Sequence, residues 1–167
     1  MMKLRLFVVV LISFFASQAH AGEAWEYSEV KDVFTDKTHH LASVVSSASL
    51  SQSPVKISFE CRNGKNFVFT SDVNQNLGGR NVAFTLHYRV DNKRSKKVKM
   101  RTFSNSETGG MHRFNAIDIA NDMLNAKRLR VRVISASGDR YDAELPLDQS
   151  RTTILKTVNA CGLAVER

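Results

Sequence analysis

The sequence is short of the motifs that announce chemistry. It has no Cys-x-x-Cys pair, no Gly-x-Ser-x-Gly elbow, no glycine-rich phosphate loop and no His-x-x-x-His or His-x-x-Glu-His spacing. Those absences remove the thiol oxidoreductase, the serine hydrolase with a nucleophile elbow, the P-loop nucleotide binder and the helix-borne zinc protease. His39 and His40 are adjacent, and neighbours on a strand point to opposite faces, so they cannot chelate one ion together. The carboxylates are scattered. No catalytic residue, cofactor or metal ligand is therefore assigned, and no enzyme activity is expected.

Long apolar runs are also missing, apart from the first. Lys3 and Arg5 precede an apolar stretch from Leu6 to Ala16, and Ala19-His20-Ala21 supplies small residues where a signal peptidase reads. A membrane span needs about 20 apolar residues, so this layout predicts a signal peptide over residues 1–21, cleaved after Ala21. The mature chain then starts at Gly22, as one domain over residues 22–167 with no transmembrane span and a periplasmic location.

Export changes the meaning of the charge. The full chain has 24 Lys and Arg against 16 Asp and Glu; removing residues 1–21 takes Lys3 and Arg5 and no acid, leaving 22 bases and a net charge of +6. A basic protein in the cytoplasm invites a nucleic-acid partner. Outside it, no nucleic acid is expected, and the same charge attracts an envelope protein, an anionic polymer or an anionic lipid surface.

Only Cys61 and Cys161 carry thiols. In "VKISFECR" Val55, Ile57, Phe59 and Cys61 share one side of a period-2 strand. In "SRTTILKTVNACGL" Ile154, Leu155, Val158 and Cys161 share a helical stripe that Gly162 ends. Both sulfurs face a core, which predicts a disulfide in an oxidising compartment. A bridge closing so long a loop stabilises by up to about 4.7 kcal/mol on the chain-entropy view.

Between the cysteines the pattern is mostly strand. "AWEYSEV" and Leu41 to Val45 predict two early strands before a Ser-rich connector that ends at Pro54. "VKISFECR" and "NFVFTSD" form a hairpin whose three-residue loop sets Cys61 opposite Phe67 and Phe59 opposite Phe69. Gly78-Gly79 and Gly109-Gly110 are read as turns. A helix is predicted over 115–128, capped by Asn115, with Ala116, Ile117, Ala120, Met123 and Leu124 inward. "LRVRVIS" and "RYDAELPL" make another hairpin, with Arg132 near Glu144, and a last helix runs from Ser150 to Cys161. The fold class is α+β, a single domain with an antiparallel, sandwich-like β core and two helices, the C-terminal one clamped by the disulfide.

The densest charge lies in "HYRVDNKRSKKVKMR". Val82, Phe84, Leu86, Tyr88 and Val90 alternate with polar residues; Val98 and Met100 alternate with Lys97, Lys99 and Arg101, around a tip at Asp91 to Ser95. The run is thus the outer face and end of a half-buried hairpin. Its bases Arg89, Lys93, Arg94, Lys96, Lys97, Lys99 and Arg101 form the candidate site for an anionic partner. Solvating the hairpin and blunting an edge against other sheets is the competing role.

Trp25-Glu26, Asp36, Ile57 to Cys61, Leu86 to Asp91 and Ala160-Cys161-Gly162, in that order, resemble the VasI/TagO family. These are small exported accessory proteins associated with bacterial type VI secretion, and the likeness spans nearly the whole mature chain. It implies an exported, non-enzymatic, β-rich accessory module. The chain departs from the family pattern at Asn92 to Phe103, which is basic where the family has a short turn and a tryptophan-bearing strand. An inhibitor of a periplasmic enzyme or an envelope-directed hydrolase is the alternative function.

Overall fold

The computed structural model describes residues 24–46 and 53–165. The signal segment expected over 1–21 and most of the Ser-rich connector lie outside them. Nine strands and two helices follow in the order β1 (Glu26–Lys31), β2 (Thr38–Val45), β3 (Lys56–Arg62), β4 (Asn66–Asp72), β5 (Ala83–Val90), β6 (Lys96–Thr102), β7 (Thr108–His112), α1 (Arg113–Met123), β8 (Arg128–Ile134), β9 (Arg140–Pro146) and α2 (Ser150–Ala160). The strands make one antiparallel sheet in the order β1-β2-β3-β4-β7-β6-β5-β8-β9. The expected sandwich of two sheets is therefore a single continuous ladder, and α+β describes the fold class.

That ladder is not flat. At strand spacings near 4.8 Å, the edges of a flat nine-strand sheet lie about 38 Å apart. Yet the indole Nε1 of Trp25, just before β1, donates to the carbonyl of Pro146, the last residue of β9, at 2.9 Å. The sheet curls until its two ends meet, although the edges do not pair as strands. One face turns inward over most of the sheet: Ile57, Phe59 and Cys61 of β3, Leu86 and Tyr88 of β5, and Val131 and Val133 of β8 join one buried cluster. Phe59 lies at its centre, with ring centroids 5.2–6.3 Å from Trp25, Phe67 and Phe69. Both helices bury their apolar stripes there, α1 against β4 and β7 and α2 against β2 and β3.

The local readings hold where the pattern is dense. Cys61 faces Phe67 and Phe59 faces Phe69, with Asn63 and Gly64 of the intervening loop at positive φ. Cys61 and Cys161 are bridged, with Cα atoms 5.5 Å apart, so the last helix is fastened to β3. Helix α1 starts at Arg113 and ends at Met123, not over 115–128, and its cap is His112, not Asn115. Ile119 is buried on its stripe, and Ile117 sits at the margin.

Gly109 and Gly110 are the larger correction. They lie inside β7 rather than in a turn. A Cβ on Gly109 would strike the Phe84 ring, and one on Gly110 would meet the Phe103 ring and the Phe69 carbonyl oxygen, both at 2.8 Å. The glycines let aromatic rings press on the strand from both faces, a close-approach role and not a turning one.

Candidate anion-binding face

On β5, inward Phe84, Leu86, Tyr88 and Val90 force Thr85, His87 and Arg89 outward. The pairing carries that parity across its neighbours. Lys97 faces His87, which faces Arg132, which faces Asp142. Lys99, Thr85, Ile134 and Arg140 form the next row, and Arg89, Arg130 and Glu144 the row on the other side. The outer face of β5, β6, β8 and β9 thus presents Arg89, Lys97, Lys99, Arg101, Arg128, Arg130, Arg132 and Arg140. Those eight bases stand against Asp142 and Glu144 alone, a net of +6.

The expected site residues divide into three groups. Arg89, Lys97, Lys99 and Arg101 share this face; Lys93 and Arg94 are exposed in the β5–β6 tip. Lys96 leaves the group: it pairs with inward Tyr88 in the ladder, and its Nζ lies 2.6 Å from Asp122 Oδ2 of α1. Tyr88 donates its hydroxyl to the same oxygen at 2.7 Å, and its phenol is pushed up by burial and then by Asp122. Lys96 therefore ties hairpin to helix. Among the described residues, Arg89, Lys93, Arg94, Lys97, Lys99 and Arg101 have no acidic partner, and Arg140 forms no ion pair but adds its field to Asp142.

The expected Arg132–Glu144 contact is displaced by one pair. Arg132 is bidentate to Asp142, Nε and Nη2 each at 2.7 Å, while Glu144 takes Arg130 Nε at 2.7 Å and Arg128 Nη1 at 3.0 Å. The cause is the turn. Ile134 pairs with Arg140, and Ser135 to Asp139 form a five-residue loop closed by the Ser135 N–H to the Asp139 carbonyl at 2.9 Å, centred on Ser137 rather than Gly138. The arginines hold both carboxyls below their ordinary range, Asp142 through Arg132 and Glu144 through Arg130 and then Arg128.

Between β5, β8 and β9 this face dips into an open recess of about 550 Å³, bordered by Arg89, Arg130, Arg132, Arg140, Asp142 and Glu144. Sequence reasoning found Arg89 but missed the other arginines as partners in one site. Their shared parity in "LRVRVIS" was visible; the pairing of β8 with β5 across some forty residues of chain was not.

Among the residues behind the family resemblance Arg89 borders this recess, while others serve the scaffold. Trp25 joins the sheet ends, Asp36 pairs with Lys31 at 2.8 Å, and Asp91 Oδ1 accepts the N–H groups of Lys127 and Arg128, both at 3.0 Å. His39 and His40 lie on opposite faces of β2: His39 borders a smaller recess with Glu60 and Asp72, and His40 Nδ1 lies 2.8 Å from the Tyr27 hydroxyl. Burial, and then Glu29, push the Tyr27 phenol up to about 12. Among the described residues no cluster of three or more His, Cys, Asp or Glu could hold a metal, and no helix is long and apolar enough to cross a membrane. No family model, curated protein or solved structure matches the chain.

Proposed function

We propose that this protein is an exported, periplasmic accessory module that docks through the outer face of β5, β6, β8 and β9 onto an anionic partner in the envelope. The observation that carries the reading is the set of eight outward bases held against two acids on one continuous face. Blunting an edge does not account for it, because β5 and β6 are interior strands of the ladder. The disulfide supports an oxidising compartment, and the N-terminal layout supplies the route there. The VasI/TagO resemblance adds a setting beside a secretion assembly. Nothing in this role needs catalysis.

Retention on isolated envelope fractions, at low and moderate salt, tests the reading. A variant with Lys93, Arg94, Lys97, Lys99 and Arg101 changed to Gln should fold normally and wash off, while the wild type should bind with a steep salt dependence. Equal retention of the two would reject docking through this face.

A further inference from the structure

We infer that the recess between β5, β8 and β9 is the seat of a phosphoryl group, with Arg89 and Arg130 as its fork. The inference rests on the anionic-partner reading above and names the chemistry of the ligand. Arg89 stands directly opposite Arg130 in the ladder. Like charges set opposite each other on neighbouring strands destabilise a sheet. Arg89 has no acidic partner among the described residues. Setting Arg89 against Arg130 is by itself unfavourable to the fold, and an anion between the two guanidinium groups offsets that repulsion.

The carboxylates beside the recess aim the arginines as much as they neutralise them. Glu144 holds Arg130 by Nε, and Asp142 holds Arg132 by Nε and Nη2. Both Nη atoms of Arg130 and Nη1 of Arg132 keep no protein acceptor among the described residues. Each guanidinium is thereby fixed on one edge and left with N–H donors on the other, which is how an arginine is preorganised for bidentate binding.

The charge and the donor set both select phosphoryl over carboxylate. Four arginines and two carboxylates around the recess leave two positive charges, the complement of a phosphate monoester near neutral pH. Its three terminal oxygens accept more of the free N–H groups than the two of a carboxylate can. The permanently charged bases bordering the recess are arginines, with His87 beside them; Lys93, Lys97 and Lys99 lie outside it, where point charges suffice for attraction.

The test is an NMR titration of the oxidised, cleaved protein at constant ionic strength, with inorganic phosphate and with malonate, a dicarboxylate of similar charge. Phosphate should give saturable shifts confined to β5, β8 and β9, with malonate about tenfold weaker. Arg89→Lys keeps the charge but loses the fork, and should weaken phosphate about tenfold in a protein with an otherwise unchanged spectrum. Equal binding of malonate, or an unchanged affinity in Arg89→Lys, overturns the inference. Vesicles of phosphatidylcholine with and without phosphatidic acid separate the sources. Recruitment that phosphate competes away assigns the group to a lipid head, and phosphate binding without recruitment assigns it to a soluble or polymer-borne ester. If phosphate fails to bind while envelope retention stays salt-sensitive, the seat falls and the docking reading stands; if retention is also indifferent to salt, both fall.

Discussion

The two halves of the curled sheet follow one rule inside and opposite rules outside. In β1 to β4 and β7, the outer face carries Glu26, Lys56, Glu60, Arg62 and Asp72, two bases against three acids, set among Ser43, Ser58, Thr70 and Thr108. In β5, β6, β8 and β9 it carries eight bases against two acids. Both halves send alternate apolar residues into one core, so burial explains the inner face of each. It does not explain the charge on either outer face. Both helices pack mainly on the first half, which also holds the disulfide, while α1 reaches the second through Lys96 and Tyr88 on Asp122. The second is where charge has been gathered beyond what folding asks.

This contrast breaks most visibly at Phe59. Replacing that fully buried ring with Ala should cost about 3–5 kcal/mol in chemical denaturation. A Cys61→Ser/Cys161→Ser variant should lose on the order of 2–5 kcal/mol. If it stays folded, it should keep its anion binding, because the bridge belongs to the other half. Trp25→Phe removes the hydrogen bond that joins the sheet ends and should cost about 1 kcal/mol, read as a lower thermal midpoint. Changing Lys97 and Lys99 to Gln should alter stability by less than about 0.5 kcal/mol each. A large loss there would show that those charges hold the fold.

The smallest effect is that of acid. Asp142 and Glu144 are held by arginines below their ordinary values of 3.8 and 4.5, so the folded state binds fewer protons than the unfolded one. Their stabilisation is complete above the unfolded values and fades as pH falls through the lowered ones. Both groups face solvent, so the expected size is tenths of a kcal/mol after screening. Thermal midpoints from about pH 6 down to about pH 3 should fall less in Asp142→Asn/Glu144→Gln than in the wild type. Equal slopes would place the acid sensitivity elsewhere.

What could be read from the sequence was local. Period-2 alternation gave the β3–β4 and β5–β6 hairpins and the outward parity of the basic run, and helical periodicity brought Cys161 inward to meet Cys61. What could not be read depends on distant parts of the chain. Gly109 and Gly110 look like a turn until Phe84 and Phe103 are packed on them. Lys96 looks like its basic neighbours until α1 brings Asp122 beneath it. The recess needs β8 beside β5, and a one-residue shift in the centre of the β8–β9 turn decided whether Arg132 met Glu144 or Asp142. Half of the candidate site was visible as a charge run; the other half exists only after the sheet is assembled.

The central claim is that placement, not total charge, makes this face a binding surface. Two variants with equal net charge test it: Arg89→Gln/Lys97→Gln/Lys99→Gln on the outer face, and Lys37→Gln/Lys65→Gln/Lys156→Gln in the helix-bearing half. The measurement is the equilibrium retention of each on envelope fractions against salt, beside the wild type. The account predicts that the second variant binds nearly as the wild type does, while the first loses most of its salt-sensitive retention. Equal losses in the two variants would contradict it and reduce the basic face to a share of a diffuse positive charge.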